Sequence, residues 1–303
     1  METSTIAVAG ATGDLGFRIT KALIARNAKV RAIIRKNTSK EKIQHLQDIG
    51  VELVEVDLND VLQIAKAVSG ASCVVSALAG LKDVIVDTQL AILQGAIKAD
   101  VPRFIPSDFS IDFTKLPPGS NRNFDLRREF HQHLNRASIA STSIFNGAFT
   151  EILVGPAPII LSKWKRILYW QDPDLLMNFT TIDDTATYTA AVALDSSAPR
   201  TLHIAGDQIS ARELAVIMSE VSGKKFNLLR AGSLSMLERL IKVTRVFVPG
   251  KNTIYPAWQG MQYLHNMFSG LAQPSYLDNE RYPGFLWTSV RDMLLKSEVV
   301  NNN

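Results

Sequence analysis

The feature that most constrains this chain lies near its start. An apolar run, Thr5-Ile6-Ala7-Val8-Ala9, leads directly into Gly10-Ala11-Thr12-Gly13-Asp14-Leu15-Gly16 and then into an amphipathic stretch from Phe17 to Arg26. A strand, a glycine turn and a helix in that order read as the first βα unit of a dinucleotide-binding sheet. The glycines permit a tight turn and close backbone approach, and the N–H groups that open the helix attract a pyrophosphate. The spacing is Gly-x-x-Gly-x-x-Gly, a departure from the simplest Gly-x-Gly-x-x-Gly fingerprint. The plain alternative is a turn without a ligand, and the position between strand and helix argues against it.

The alternation continues down the chain. A strand at 28–34 and a polar helix at 39–48 are followed by a strand at 51–56 and a helix at 60–68. Strand four is 71–78, an amphipathic helix runs from 82 to 99, strand five is 103–106, and a sixth strand is expected over Ser141-Thr142-Ser143-Ile144-Phe145. Strands separated by helices of these lengths make βαβ units, so the fold class is α/β with a doubly wound parallel sheet. Such sheets bind ligands beyond the carboxyl ends of their strands. Strand three ends in Asp57, which could accept from an adenine amino group or start the next helix. Strand four ends in Ser76, Ala77 and Leu78, small enough there for a ribose to pass close to the backbone. Strand five ends in Pro106, Ser107 and Asp108, and strand six in Asn146, polar groups at the expected substrate edge.

The second strand decides which dinucleotide is expected. An NAD site usually places an acidic residue roughly 20 positions beyond the glycines, to accept from the ribose 2′-OH. This chain has Arg35-Lys36-Asn37-Thr38 there. Cations at that point can pair with a 2′-phosphate, so NADP(H) is the expected cofactor. The bland alternative makes Arg35 and Lys36 solvated loop charges, as Lys40 and Lys42 are taken to be.

Composition excludes several classes. With 303 residues, 46% of them hydrophobic, the chain can bury a full core. Its net charge of +4 comes without a like-charged block or basic–aromatic interleaving, so direct nucleic-acid binding is not indicated. The single cysteine, Cys73, sits in an apolar run and reads as a buried strand residue, which rules out a disulfide framework or cysteine-ligated zinc. Met1-Glu2-Thr3-Ser4 lacks the basic-then-apolar pattern of a leader, and no apolar run approaches the ~18 residues of a membrane span. A soluble protein of a reducing compartment, the cytoplasm, is expected.

Several motifs together resemble a known family. The glycine turn, the basic end of strand two, Phe104-Ile105-Pro106-Ser107-Asp108-Phe109 and Phe124-Asp125-Leu126-Arg127 look like the NmrA-like and isoflavone-reductase-like branch of the atypical short-chain dehydrogenases. Ile182-Asp183-Asp184-Thr185-Ala186 and Thr201-Leu202-His203-Ile204-Ala205-Gly206 are similar to its later segments. The resemblance runs from Thr5 to about Ser222 and weakens beyond. It implies a Rossmann NADP(H)-binding domain over 1–150, with segments near 180–206 returning to it, and a smaller substrate or lid lobe mainly within 151–303. Cofactor contacts are expected from Gly10, Thr12, Gly13, Asp14, Leu15, Gly16, Arg35, Lys36, Asp57, Ser76, Ala77, Leu78, Pro106 and Ser107.

The chemistry departs from the family pattern. The branch carries a lysine where this chain has Arg127. A lysine can be tuned to exchange a proton, whereas arginine stays charged and can only stabilise developing negative charge. The Tyr-x-x-x-Lys pair of ordinary short-chain dehydrogenases fails at Tyr169, Tyr188, Tyr255, Tyr263, Tyr276 and Tyr282. Arg127, Ser107 and Asn146 remain as candidate catalytic groups, with Asp108 beside them. His131 and His133 stand two apart on an expected helix, cannot share a metal, and read as surface residues. No metal site is expected. Asp183 and Asp184 read as helix-capping carboxylates.

The carboxyl-terminal part is expected to supply helices over 210–221, 233–243 and 257–270, a short strand at 226–230 and a loose tail at Asn301-Asn302-Asn303. Trp258, Met261 and Met267 read as core residues or as the lining of an apolar substrate pocket. Two functions fit. One is an NADPH-dependent reductase of a small, apolar carbonyl, enone or quinone-like substrate. The other is a non-catalytic regulatory protein that senses NADP(H) and acts through a protein partner; the missing proton-transfer residues favour it, whereas an apolar carboxyl-terminal lid with no obvious docking segment favours the reductase, which is the expected function.

Overall fold

The computed structural model describes residues 4–155, 157–248, 250 and 252–297, so the expected tail at 301–303 and residues 1–3 of the amino-terminal segment lie outside the described residues. The chain separates into two compact units. The first comprises Met1–Phe109, Leu126–Ile144 and Thr185–Leu202; the second comprises Ser110–Asp125, Phe145–Asp184 and His203–Asn303.

The amino-terminal half supplies β1 (Thr5–Ala9), α1 (Asp14–Ile24), β2 (Lys29–Arg35), α2 (Lys40–Asp48), β3 (Glu52–Val56), α3 (Val61–Val68), β4 (Cys73–Ser76), α4 (Gln89–Lys98), β5 (Arg103–Ile105), α5 (Arg122–Leu134) and β6 (Ala140–Ser141). Its strands form one parallel six-stranded sheet in the order β3-β2-β1-β4-β5-β6. The order reverses between β1 and β4, the switch point beyond which open sheets of this kind bind ligands. Fully buried Ile64, Val68, Ile92, Phe104 and Phe130 belong to the packed core of this unit. Cys73 is buried in β4, and burial pushes its thiol up to about 12.

Local chemistry sets the boundaries. Asp60, not Asp57, caps α3: its carboxylate accepts from Leu62 N and Gln63 N. The helix expected from 82 opens as a π-helical turn, Asp83–Thr88, before α4 begins. The sixth strand is not the continuous run expected over 141–145. It breaks at Thr142, whose hydroxyl accepts from Arg103 Nη2 at 2.7 Å and donates to Pro199 O at 2.7 Å. A fully buried hydroxyl held from two sides fixes the break, and the strand resumes as β7 (Ser143–Phe145), which pairs with β12 (Thr201–His203) rather than joining the large sheet.

The other elements are β8 (Ala148–Phe149), β9 (Ile160–Leu161), β10 (Arg166–Trp170), β11 (Met177–Thr180), α6 (Ile182–Leu194), β13 (Asp207–Ile209), α7 (Ala211–Ser222), β14 (Asn227–Gly232), α8 (Leu234–Phe247), α9 (Ala257–Phe268) and α10 (Val290–Lys296). The second unit contains two three-stranded sheets, β14-β10-β9 and β13-β11-β8. Its main core gathers Ile167, Phe179, Leu214, Met218 and Leu294. A capping box of Ser210 and Glu213 starts α7, and Gly223 ends it in the left-handed region at φ 65°. The Thr181 hydroxyl caps α6, accepting from Asp184 N at 3.0 Å, and Asp183 and Asp184 stand in the first turn of the helix, where the Asp184 carboxylate also accepts from Thr288 N at 2.8 Å. Burial pushes the Asp184 carboxyl above its usual range. Among the described residues, no helix is long and apolar enough to cross a membrane, and no three metal-ligating side chains cluster.

Candidate functional site

The glycine turn is built by sterics. Gly10 has φ +90°, and a Cβ there would lie 2.5 Å from Ala77 O, so the turn packs directly on the end of β4. A Cβ on Gly16 would lie 2.1 Å from Gly10 O, which forces the first turn of α1 against the end of β1. Gly13 donates its N–H to Gly10 O at 2.9 Å and, as N-cap, has no side chain to satisfy the N–H groups that open α1. Thr12 and Leu15 are half-buried on either side. Asp14 stands exposed in the first turn with Arg18 Nε 2.7 Å from its Oδ1. The local anion therefore has its own cation and does not leave the turn electronegative.

Arg35 closes β2 in register with Val56, so Arg35 and Asp57 occupy neighbouring strand ends. Arg35 and Lys36 are exposed, and neither side chain has a hydrogen-bond or ion-pair partner among the described residues. Asp57 Oδ1 accepts from Asn59 N at 2.9 Å, a local turn that leaves a carboxylate at the strand end. Ser76 ends β4 fully buried, its hydroxyl unpartnered among the described residues. The six-stranded sheet thus brings the glycine turn, Arg35, Lys36, Asp57, Ser76 and Ala77 to the carboxyl ends of its strands.

The loop after β5 is held more tightly than its sequence suggests. Pro106 O accepts from Asp108 N at 2.9 Å. Ser107 N donates to Gln89 Oε1 at 2.8 Å, and the Ser107 hydroxyl donates to Leu78 O at 2.6 Å. Gln89 is fully buried and spans the start of α4 through its donation to Ile85 O at 2.9 Å. Arg127, half-buried on α5, donates from Nε to Ser107 O at 3.0 Å.

His131 corrects the expectation of two surface histidines. It is 9% exposed, and its Nε2 lies 2.7 Å from Oδ2 of the fully buried Asp108, whereas His133 is exposed. Burial pushes the Asp108 carboxyl up, but the His131 charge and hydrogen bond, a Ser143 hydrogen bond and the Arg127 charge outweigh it and hold the group below its usual value.

Asn146 lies in the second unit. Its backbone carbonyl accepts from Thr180 Oγ1 at 2.6 Å, while both polar atoms of its fully buried carboxamide have no partner among the described residues. Gly147 follows at φ +70°, where a Cβ would lie 2.3 Å from Asn178 O. Trp258 is core, with the Arg122 and Arg245 guanidinium groups over its ring at 4.8 and 5.1 Å. Met261 packs against the main core of the second unit, with Leu214 and Met218, and Met267 reaches both that core and a cleft of the same unit.

Sequence reasoning missed Gln89, His131 and a second pair, His203 with Asp112. For His131 a signal existed, since it lies one residue from buried Phe130 and three from buried Leu134 on the same helix. Gln89 and the His203–Asp112 pair depend on contacts 18 and 91 residues apart, which no local pattern announces.

A parallel sheet with a glycine turn at its switch point defines a nucleotide-binding protein of Rossmann type. A family model described as the NmrA-like family matches residues 2–268, and the chain belongs to that family. Pinoresinol reductase 1 of Arabidopsis thaliana is 28% identical over 209 residues, which are 64% of this chain and 66% of the relative, just under two thirds of its length. Two solved structures share the fold. The complex of AtPrR2 with NADP+ and (+)pinoresinol superposes with TM-score 0.82 at 21% identity, covering 97% of this chain and 99% of that one. The leucoanthocyanidin reductase–NADPH complex from Vitis vinifera does so with TM-score 0.79 at 16% identity, covering 98% and 100%.

Proposed function

We propose that this protein is an NADPH-dependent reductase of a small, largely apolar carbonyl, enone or quinone-like compound. The observation that carries the reading is the glycine turn packed on Ala77 at the same sheet edge as Arg35 and Lys36, two exposed cations with no side-chain partner among the described residues. The fit to a dinucleotide is good on this ground: no side chain intrudes at Gly10 or Gly16, and the uncapped start of α1 suits a pyrophosphate. Arg35 and Lys36 suit a 2′-phosphate. The NADP+ and NADPH complexes of the fold relatives and the reductase names of the sequence relatives support the same reading.

When bound, NADPH supplies a hydride. Arg127 stabilises negative charge developing on the substrate oxygen as a fixed cation, oriented by its bond to Ser107 O. It does not deliver the proton, because a guanidinium stays protonated. The Ser107 hydroxyl proton is engaged by Leu78 O, so solvent is the source of the proton and Ser107 serves to shape the loop.

The test is a titration with NADPH, NADP+ and NADH followed by a screen of quinones and enones for loss of nicotinamide absorbance. Turnover supports the reductase. Tight binding without turnover favours the second reading, a redox-sensing regulatory protein, for which the arginine in place of a lysine at 127 is the specific observation. Arg35→Ala is expected to weaken NADPH ~10–100-fold, the worth of one or two charge-assisted hydrogen bonds, while NADH changes little. An equal fall for both would remove Arg35 from recognition of the 2′-phosphate. Arg127→Ala is expected to lower turnover ~100-fold at nearly unchanged cofactor affinity, and an unchanged rate would remove Arg127 from the mechanism.

A further inference from the structure

We propose that Gln89 is a positioning residue: acting through Ser107, it sets where the Arg127 guanidinium stands at the carboxyl edge of the six-stranded sheet. The mechanical link is independent of any cofactor, and its consequence for hydride transfer rests on the reductase reading above.

The π-helical turn before α4 dictates how Gln89 is oriented. Its backbone N–H donates to Val84 O and Val86 O. The Ile85 carbonyl, which an α-helical register would give to that N–H, accepts instead from the Gln89 side chain, Nε2 to O, at 2.9 Å. This bond fixes the carboxamide one way round, with Nε2 on the carbonyl and Oε1 left to accept from Ser107 N at 2.8 Å. The reverse orientation would set donor against donor and acceptor against acceptor. Gln89 is fully buried and Ser107 is 4% exposed, so solvent does not replace either bond.

Each polar group of Ser107 has a partner on a different segment. Its N–H donates to Gln89 on α4, its hydroxyl donates to Leu78 O after β4 at 2.6 Å, and its carbonyl accepts from Arg127 Nε on α5 at 3.0 Å. The bond from Asp108 N to Pro106 O, 2.9 Å, closes a three-residue turn centred on Ser107 and ties its N–H and C=O directions together. The seat of Arg127 Nε therefore follows from where the Ser107 N–H is held. Without Gln89 Oε1 that N–H is a buried donor lacking an acceptor, and the loop is driven to turn in search of one. The helix itself is anchored separately: Lys82, at the start of the π-helical turn, pairs with Glu129, two residues beyond Arg127. Loss of Gln89 is thus felt at the Ser107 carbonyl rather than as a drift of α5.

The test is Gln89→Met, which fills similar space and offers no strong donor or acceptor, in the whole protein without cofactor. Guanidinium Nε–H signals are followed by nitrogen–proton NMR, and loss of one signal in Arg127→Lys assigns it. Protection of the Arg127 Nε–H from solvent exchange should fall ~10-fold or more in Gln89→Met, the worth of one hydrogen bond. The Arg31 Nε–H, which donates to Glu52 Oε1 at 2.9 Å away from the Ser107 loop, should stay as in the wild type. An unchanged Arg127 signal overturns the assignment, and so does an equal fall at both sites, which would make Gln89 a general stabiliser of the unit. Should the variant fail to fold, the wild type decides: in mild urea the Ser107 N–H and the Arg127 Nε–H should exchange through one opening, with protection equal within ~3-fold, and independent openings refute the link. With NADPH and a substrate from the screen above, Gln89→Met should slow hydride transfer ~10-fold while cofactor Kd stays within ~2-fold, and an unaltered rate overturns the consequence for catalysis. A wild type that turns over nothing removes the reductase reading alone, because the exchange measurements need no cofactor.

Discussion

Gly16→Ala is expected to weaken NADPH binding by more than ~100-fold and to lower stability by about 1–3 kcal/mol, the usual cost of overpacking a tight contact. The added Cβ would sit 2.1 Å from Gly10 O and 2.7 Å from Gly10 C, both backbone atoms that cannot rotate away. Relief requires α1 to withdraw from the end of β1, and that movement takes the N–H groups of its first turn away from the position of the pyrophosphate. Gly50→Ala is the control. Its φ of +77° makes alanine strained, but nothing lies within 4 Å of the new Cβ, so it should cost stability without touching cofactor affinity. Fluorescence titration and thermal melting of both variants separate the effects. If Gly16→Ala binds NADPH within about threefold of the wild type, an effect well under 1.4 kcal/mol, the turn is scaffold only.

The parts of the fold that were legible in the sequence are those settled within a few residues. The run from Thr5 to Ala9, the three glycines and the apolar spacing of α1 fix a strand, a turn and a helix without help from elsewhere. The parallel six-stranded sheet follows from the repetition of such units. What failed was set by distant partners. The run at 141–145 has uniform strand character, and only Arg103 and Pro199, 39 and 57 residues from Thr142, break it. His131 was misread because a helix face is exposed or buried according to what packs on it, and Asp108 lies 23 residues away. The candidate site divides in the same way. The cations after β2 could be read from position alone, whereas the grip of Gln89 on Ser107 and the pairing of His203 with Asp112 are products of tertiary structure.

Asp108→Asn is expected to destabilise the protein by about 3–5 kcal/mol near neutral pH, the range for removing one partner of a buried ion pair. The carboxylate is fully buried, hydrogen-bonded to His131, and within electrostatic reach of Arg127 and Arg200. Asparagine keeps the shape and removes the charge, so those cationic groups lose their counter-ion inside the unit. The pH dependence has a definite sign. A carboxyl whose folded value lies below the unfolded one, about 3.9 for Asp, adds stability that is fully present above that value and is lost as pH falls through the lower folded value. Urea unfolding of the wild type should therefore weaken below about pH 4, and the variant should lack that part of the slope. Such a result makes Asp108 the counter-ion that holds the Ser107 loop, and through Ser107 O the guanidinium of Arg127, rather than a proton donor in its own right. A variant as stable as the wild type across that range would mean that the charge is not needed for folding, and Asp108 would then return as a candidate acid beside Arg127.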